Sequence, residues 1–104
     1  VPLRQYAKSP APDQVRLTNA LETEWRTPNP KAQEPVILEE SDAKGNIVHV
    51  YVVWSDWAQL NRETRGDIIM DSAERVKSLV DVQKITIAMG LTPDEADRFN
   101  IKWR

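Results

Sequence analysis

His49 is the chain's single histidine, and Ser55 and Asp56 follow it along one apolar run. These are the residue types of a nucleophilic triad. Such a triad needs nucleophile and base within hydrogen-bond reach, with donors for an oxyanion. The spacing denies it, because an extended strand separates His49 from Ser55 by roughly 20 Å. Ser55 and Asp56 read instead as turn residues at a strand end. A metal site at His49 would draw on Glu39 or Glu40 from a neighbouring strand and needs two or three converging ligands. A histidine hydrogen-bonded to a carboxylate on a sheet face is the simpler reading. The chain has no cysteine, which removes thiolate nucleophiles, thiolate metal sites and disulfides together. No catalytic residue, metal or cofactor is assigned, and the chain is read as a non-enzyme.

Four further residues carry chemistry suited to binding. Arg62 and Arg65 fall in the first turn of an expected helix, where positive charge opposes the helix dipole. Free backbone donors beside them could hold a phosphate or an acidic segment. The alternative is that Glu63, Asp67 and Asp56 neutralise them. Trp57 follows the strand end and has two readings. Exposed beside arginines, it is interface hot-spot chemistry; turned inward, it caps the core between helix start and sheet. Tyr51 shares a strand face with His49. Glu34, Glu39, Glu40 and Asp42 form an acidic group around a hairpin, read as a solvated edge that discourages strand-to-strand association.

The elements that must position these residues are legible in turn. The 104 residues suit one domain with a two-layer core. Hydrophobic residues at 40% and charged residues at 29% are the balance of a globular protein. The net charge of −2 and the absence of any basic run disfavour a large nucleic-acid face. No apolar run approaches the roughly 18 residues of a membrane span, and no signal-peptide pattern is present. The missing cysteines fit a reducing compartment, so a cytoplasmic location is expected. The opening Val1, in place of Met, is what a processed or excised piece would carry.

Residues 1–11 read as an extended proline-containing arm, and 12–104 as a single α+β domain. Pro12 and Asp13 suit a helix start. Val15, Leu17, Ala20, Leu21 and Trp25 give a helical face over 12–26, which Pro28 and Pro30 terminate. A strand at 36–40, turn residues Asp42-Ala43-Lys44-Gly45-Asn46 and a strand at 47–54 predict an antiparallel hairpin. Val48, Val50, Val52 and Trp54 should face the helices; Ile47, His49, Tyr51 and Val53 form the other, mixed face. Asn61 caps a helix whose apolar face is Ile69, Ala73, Val76 and Val80, with Ile68 and Leu79 at its margins, ending near Val80 or Asp81. A third strand is expected at 83–89. Thr92, Pro93 and Glu95 spell a capping box for a short helix at 93–99. Leu91 and Ala96 sit at its staple positions. Phe99, Ile101 and Trp103 should dock the tail. The fold class that follows is a two-layer α+β sandwich in αββαβα order, a three-stranded mixed sheet with helices packed on one face.

The run His49-Val50-Tyr51-Val52-Val53-Trp54-Ser55-Asp56-Trp57, then Arg62 and Arg65, Lys84-Ile85-Thr86-Ile87 and Thr92-Pro93-Asp94-Glu95 resembles the BolA-like family over about residues 36–96. The resemblance implies a topology related to the class II KH fold. The family's histidine beside the helix arginine corresponds to Gly66 here, and the one opening its last strand to Lys84 or a neighbour. The Gly-x-x-Gly loop of KH domains has no counterpart. The resemblance therefore carries over topology and not iron–sulfur chemistry. A small protein-binding or adaptor domain is the expected function, with Trp57, Arg62, Arg65, His49 and Tyr51 as partner-binding residues and self-association through a sheet edge as one form of it. The alternative is single-stranded nucleic-acid binding, with Tyr51 or Trp57 stacking on bases and the arginines on phosphates.

Overall fold

Residues 12–29 and 34–104 are described in the structure, a computed structural model. The expected arm, 1–11, and the middle of the linker, 30–33, lie outside them. The first helix, α1, spans Pro12–Arg26. Leu17, Thr18 and Leu21 are its buried residues, and Ala20 and Trp25 pack at the margin. Val15 is the exception to the expected face, at 40% exposed.

Strand β1 is Val36–Ser41 and strand β2 is Ile47–Val53, paired antiparallel from Val36↔Val53 to Ser41↔Ile47 with a bulge at Glu40/Ser41. The turn between them forms as its residues dictate. The Gly45 amide donates to the Asp42 carbonyl at 3.0 Å, and Gly45 takes φ +85°. That left-handed conformation is open to glycine at little cost. Asp42 Oδ1 accepts from the Lys44 and Asn46 amides at 2.9 and 3.0 Å.

A 3-10 turn, Ser55–Gln59, leads to helix α2, Arg62–Val76, which Asn61 caps through its side chain to the Thr64 amide. The buried face of α2 is Arg65, Ile68, Ile69, Ser72 and Ala73. That is the i, i+3, i+4, i+7, i+8 stripe of a helix lying on a core. Ser72 Oγ donates to the Thr18 carbonyl at 3.1 Å, joining α2 to α1.

The expected end of α2 near Val80 is corrected. Lys77 turns extended, and Ser78 caps a separate helix α3, Leu79–Gln83, by accepting from the Asp81 amide. The break rotates the apolar pattern. Val80 is 61% and Leu79 70% exposed, and Val82 is buried in their place. Strand β3 is correspondingly late, Ile87–Leu91 rather than 83–89. It pairs parallel with β2, from His49↔Ile87 to Val53↔Leu91, giving the sheet order β1-β2-β3. Gly90 lies inside this strand, not at its end. A Cβ there would come within 2.8 Å of Arg65 Cβ and 2.9 Å of two Trp57 ring atoms.

The α+β fold with a three-stranded mixed sheet is thus realised, and the expectation of helices on one face only is corrected, because α4 packs on the face opposite α1 and α2. Val50, Val52, Trp54 and Trp57 meet Leu17, Leu21, Ile68 and Ile69 in the main core. Helix α4, Pro93–Arg98, carries the chain to the other sheet face. There Ala96, Val53 and Leu91 form a second cluster, with Val36, Leu38, Met89, Ile101 and Trp103 packed on it. Phe99 does not join them; it is 51% exposed, with the Arg62 guanidinium 5.7 Å above its ring.

Candidate functional site

The five expected binding residues separate into a buried pair and a surface set. Trp57 is fully buried, and the second of its two readings holds. Its indole Nε1 donates to the Val52 carbonyl at 3.0 Å, and its ring meets Trp54 edge-on at 5.2 Å. The strand-end position brings it under the sheet because the 3-10 turn folds the chain straight back toward α2.

Arg65 is also interior, 5% exposed. Its Nε donates to the Trp57 and Leu60 carbonyls at 3.1 and 2.9 Å, and its Nη1 donates to the Gly90 carbonyl at 3.2 Å and to Glu95 Oε1 at 2.7 Å. The expectation that Glu63, Asp67 or Asp56 balances it is corrected for Arg65: the ion-pair partner is Glu95, brought from thirty positions away. Asp56 pairs with Arg16 at 3.6 Å. A signal for Arg65 was present in the sequence. It stands four residues before Ile69 on the apolar stripe, so its stem had to point inward.

His49 and Tyr51 lie together on the second sheet face. His49 Nδ1 is 2.8 Å from Glu40 Oε1, its register partner on β1. The His49 and Tyr51 rings meet edge-on at 6.3 Å. Partial burial raises the Tyr51 phenol above its ordinary value, and the neighbouring Glu40 carboxylate adds to the effect. Register places Leu38, Met89 and Ile87 on this same face. Ile87 is 38% exposed and the rest half-buried. The surface is an apolar floor of aliphatic and thioether groups, bordered by one hydrogen-bonded Glu40–His49 pair.

The acidic group around the hairpin does not converge. Glu34 accepts from the Ser55 amide at 2.9 Å and from the Ser55 hydroxyl, Glu39 pairs with Lys77 at 2.8 Å, and Asp42 holds its own turn. Among the described residues no group of three His, Cys, Asp or Glu side chains is placed to hold a metal ion. Ser55 and His49 are engaged with different carboxylates, Glu34 and Glu40.

The sheet edges bear on strand-to-strand association. The Leu91 carbonyl accepts from the Trp54 amide, so by alternation Ala88 and Gly90 turn theirs to the outer edge of β3. Arg65 takes the Gly90 carbonyl, and Gly66 lies so close that a Cβ on it would be 3.3 Å from the Ala88 carbonyl oxygen. Helix α2 therefore occupies that edge. The other edge, β1, ends in a bulge beside exposed Glu39 and Glu40. Both are features that discourage strand addition.

No helix of the described residues is long and apolar enough to cross a membrane. Comparison with protein-family models, curated proteins and solved structures matches the chain to none of them.

Proposed function

We propose that the protein is a small non-enzymatic binding domain that acts through protein contacts made by the second sheet face. The observation that supports this reading is the partly open floor of Leu38, Tyr51, Met89 and Ile87, bordered by Glu40 and His49. A rigid aromatic with a polar tip, set among aliphatic groups on a fixed strand, suits a protein partner. The partner surface therefore moves away from Trp57 and Arg65, which serve the interior, to Tyr51 and His49. A face-on contact also fits better than an edge-on one, given the α2 cover on β3 and the bulge on β1.

The test is light scattering across a concentration series, followed by partner capture, on the wild type and on Tyr51→Ala with His49→Ala. Loss of association in the double variant, with an unchanged circular dichroism spectrum, supports the reading. Association unaffected by the double variant overturns it.

The second reading is single-stranded nucleic-acid binding, drawn from the KH-related resemblance. It retains Tyr51 for stacking and Arg62 for phosphate. Binding of a labelled oligonucleotide that weakens steeply with added salt would favour it over the protein reading.

A further inference from the structure

The second sheet face is only partly open because the chain covers one end of it. Ala96, Ile101 and Trp103 pack on Val53 and Leu91, beside Val36, Leu38 and Met89. This covering segment, 92–104, is organised largely by contacts within itself. Thr92 and Glu95 exchange the two bonds of a capping box. At the other end Asn100 takes φ +58°, the Ile101 amide returns to the Ala96 carbonyl at 2.9 Å and the Asn100 amide to the Asp97 carbonyl at 3.1 Å. That is a Schellman closure, with Ile101 and Ala96 making its apolar contact. Asp97 then accepts from Trp103 Nε1 and from Arg104, each at 3.1 Å, and the Arg104 guanidinium sits 4.5 Å above the Trp103 ring.

Among the described residues, the ion pair between the segment and the body is Arg65–Glu95. On the body side, Arg65 keeps the Trp57, Leu60 and Gly90 carbonyls when Glu95 departs. Release therefore leaves the guanidinium on three carbonyl acceptors, without its counter-charge. On the segment side, the caps and the Asp97 contacts travel with the chain. Of the apolar anchors, Ala96 is fully buried, while Ile101 and Trp103 are half-buried. A unit that carries its own bonds, and whose tail anchors are only half-buried, is one that opens locally, below the cost of global unfolding.

We propose that the segment from Thr92 to Trp103 is a displaceable cover, latched by Glu95 on Arg65, that competes with the partner for the second sheet face. The inference rests on the protein-binding reading above. It also sets the partner's chemistry. To replace the cover, a partner must offer an amphipathic peptide segment with a carboxylate for Arg65 and aliphatic or aromatic groups for the Val53–Leu91 strip.

The test uses the full chain, as wild type and as Glu95→Gln. Glutamine still serves a capping box, so the variant removes the charge on the latch and keeps the helix start. Hydrogen exchange is followed at the Ala96, Phe99 and Ile101 amides, which bond within the segment, and at β2. In the wild type these three amides should exchange ahead of β2. In Glu95→Gln they should exchange about tenfold faster again, the effect of losing one charged hydrogen bond, and still ahead of β2. A labelled synthetic peptide of residues 92–104 is then titrated onto each chain, and the variant should bind it about tenfold more tightly, because its own cover competes less. Exchange of the segment only at the β2 rate in both chains, or equal peptide affinity, overturns the cover. The exchange arm uses no outside partner. It therefore stands apart from the Tyr51 and His49 test, and failure of one reading is not mistaken for failure of the other.

Discussion

Glu95 Oε1 lies 2.7 Å from Arg65 Nη1 and 2.8 Å from the Thr92 amide, so one carboxylate oxygen closes a helix cap and a tertiary ion pair together. The side chains are 7% exposed for Arg65 and 20% for Glu95. At that burial the contact is not a screened surface pair. It fixes where α4 leaves β3, and with it which part of the sheet face stays open.

Acid should weaken the fold through this residue. Burial alone would push the Glu95 carboxyl up. The Thr92 amide, the Arg65 guanidinium and the Thr92 hydroxyl outweigh it and hold the group below the ordinary glutamate value. A carboxyl depressed on folding contributes stability above its unfolded value and loses it as pH falls through the folded one. The wild type should therefore exceed Glu95→Gln by about 1–3 kcal/mol at neutral pH. The gap should close below the ordinary glutamate range. Urea midpoints of both chains between neutral and acid pH check this; a constant gap would refute it.

Gly90→Ala should destabilise by about 1–3 kcal/mol, the usual cost of overpacking a filled core. The new methyl meets Arg65 Cβ and the Trp57 ring, neither of which is the free end of a flexible chain. Gly45→Ala meets no atom within 4 Å and should lose only about 1–2 kcal/mol, from its positive φ. Thermal melts of the two variants separate steric from conformational cost.

Asn100 should respond to its backbone and not to its side chain. At φ +58°, Asn100→Gly should hold or raise stability by a few tenths of a kcal/mol. Asn100→Val should lower it by about 1–3 kcal/mol, since a β-branched residue resists the left-handed region. The Val variant should also raise exchange at the Ile101 amide, whose bond to Ala96 depends on that conformation.

Tyr51 and Trp57 should part company on truncation. Trp57→Ala removes a fully buried indole and should cost about 3–5 kcal/mol. Tyr51→Ala, on a half-buried face, should cost less than half as much. Denaturant midpoints decide this. A small effect at Trp57 would return it to the surface reading.

Much of the fold follows from local rules that operate within a few residues. The turn at Asp42–Asn46, the Asn61 cap, the Thr92–Glu95 capping box and the alternation along β2 each need only short-range sterics and hydrogen bonding. All of them are spelled in the residues themselves. Other positions had signals that needed a partner to be read. Arg65 lies on the apolar stripe of α2, but nothing nearby in sequence says that Glu95 and three carbonyls await it. Ser78 is a good helix cap, yet the apolar residues at 76, 79 and 80 continue the preceding period and conceal the break.

Tertiary structure alone decided the rest. Trp57 is hidden because the 3-10 turn places it between β3 and α2, where Gly90 leaves room for its ring. The strand span of β3 was set by pairing with β2, which begins after α3 and runs through Gly90 to Leu91. The open part of the candidate surface was set by how far α4 and the tail reach across it. These outcomes depend on which distant surfaces meet. Burial rewards the meeting of any two apolar faces of suitable shape, so a residue's type names its preference for the interior, and the fold decides whether there is room.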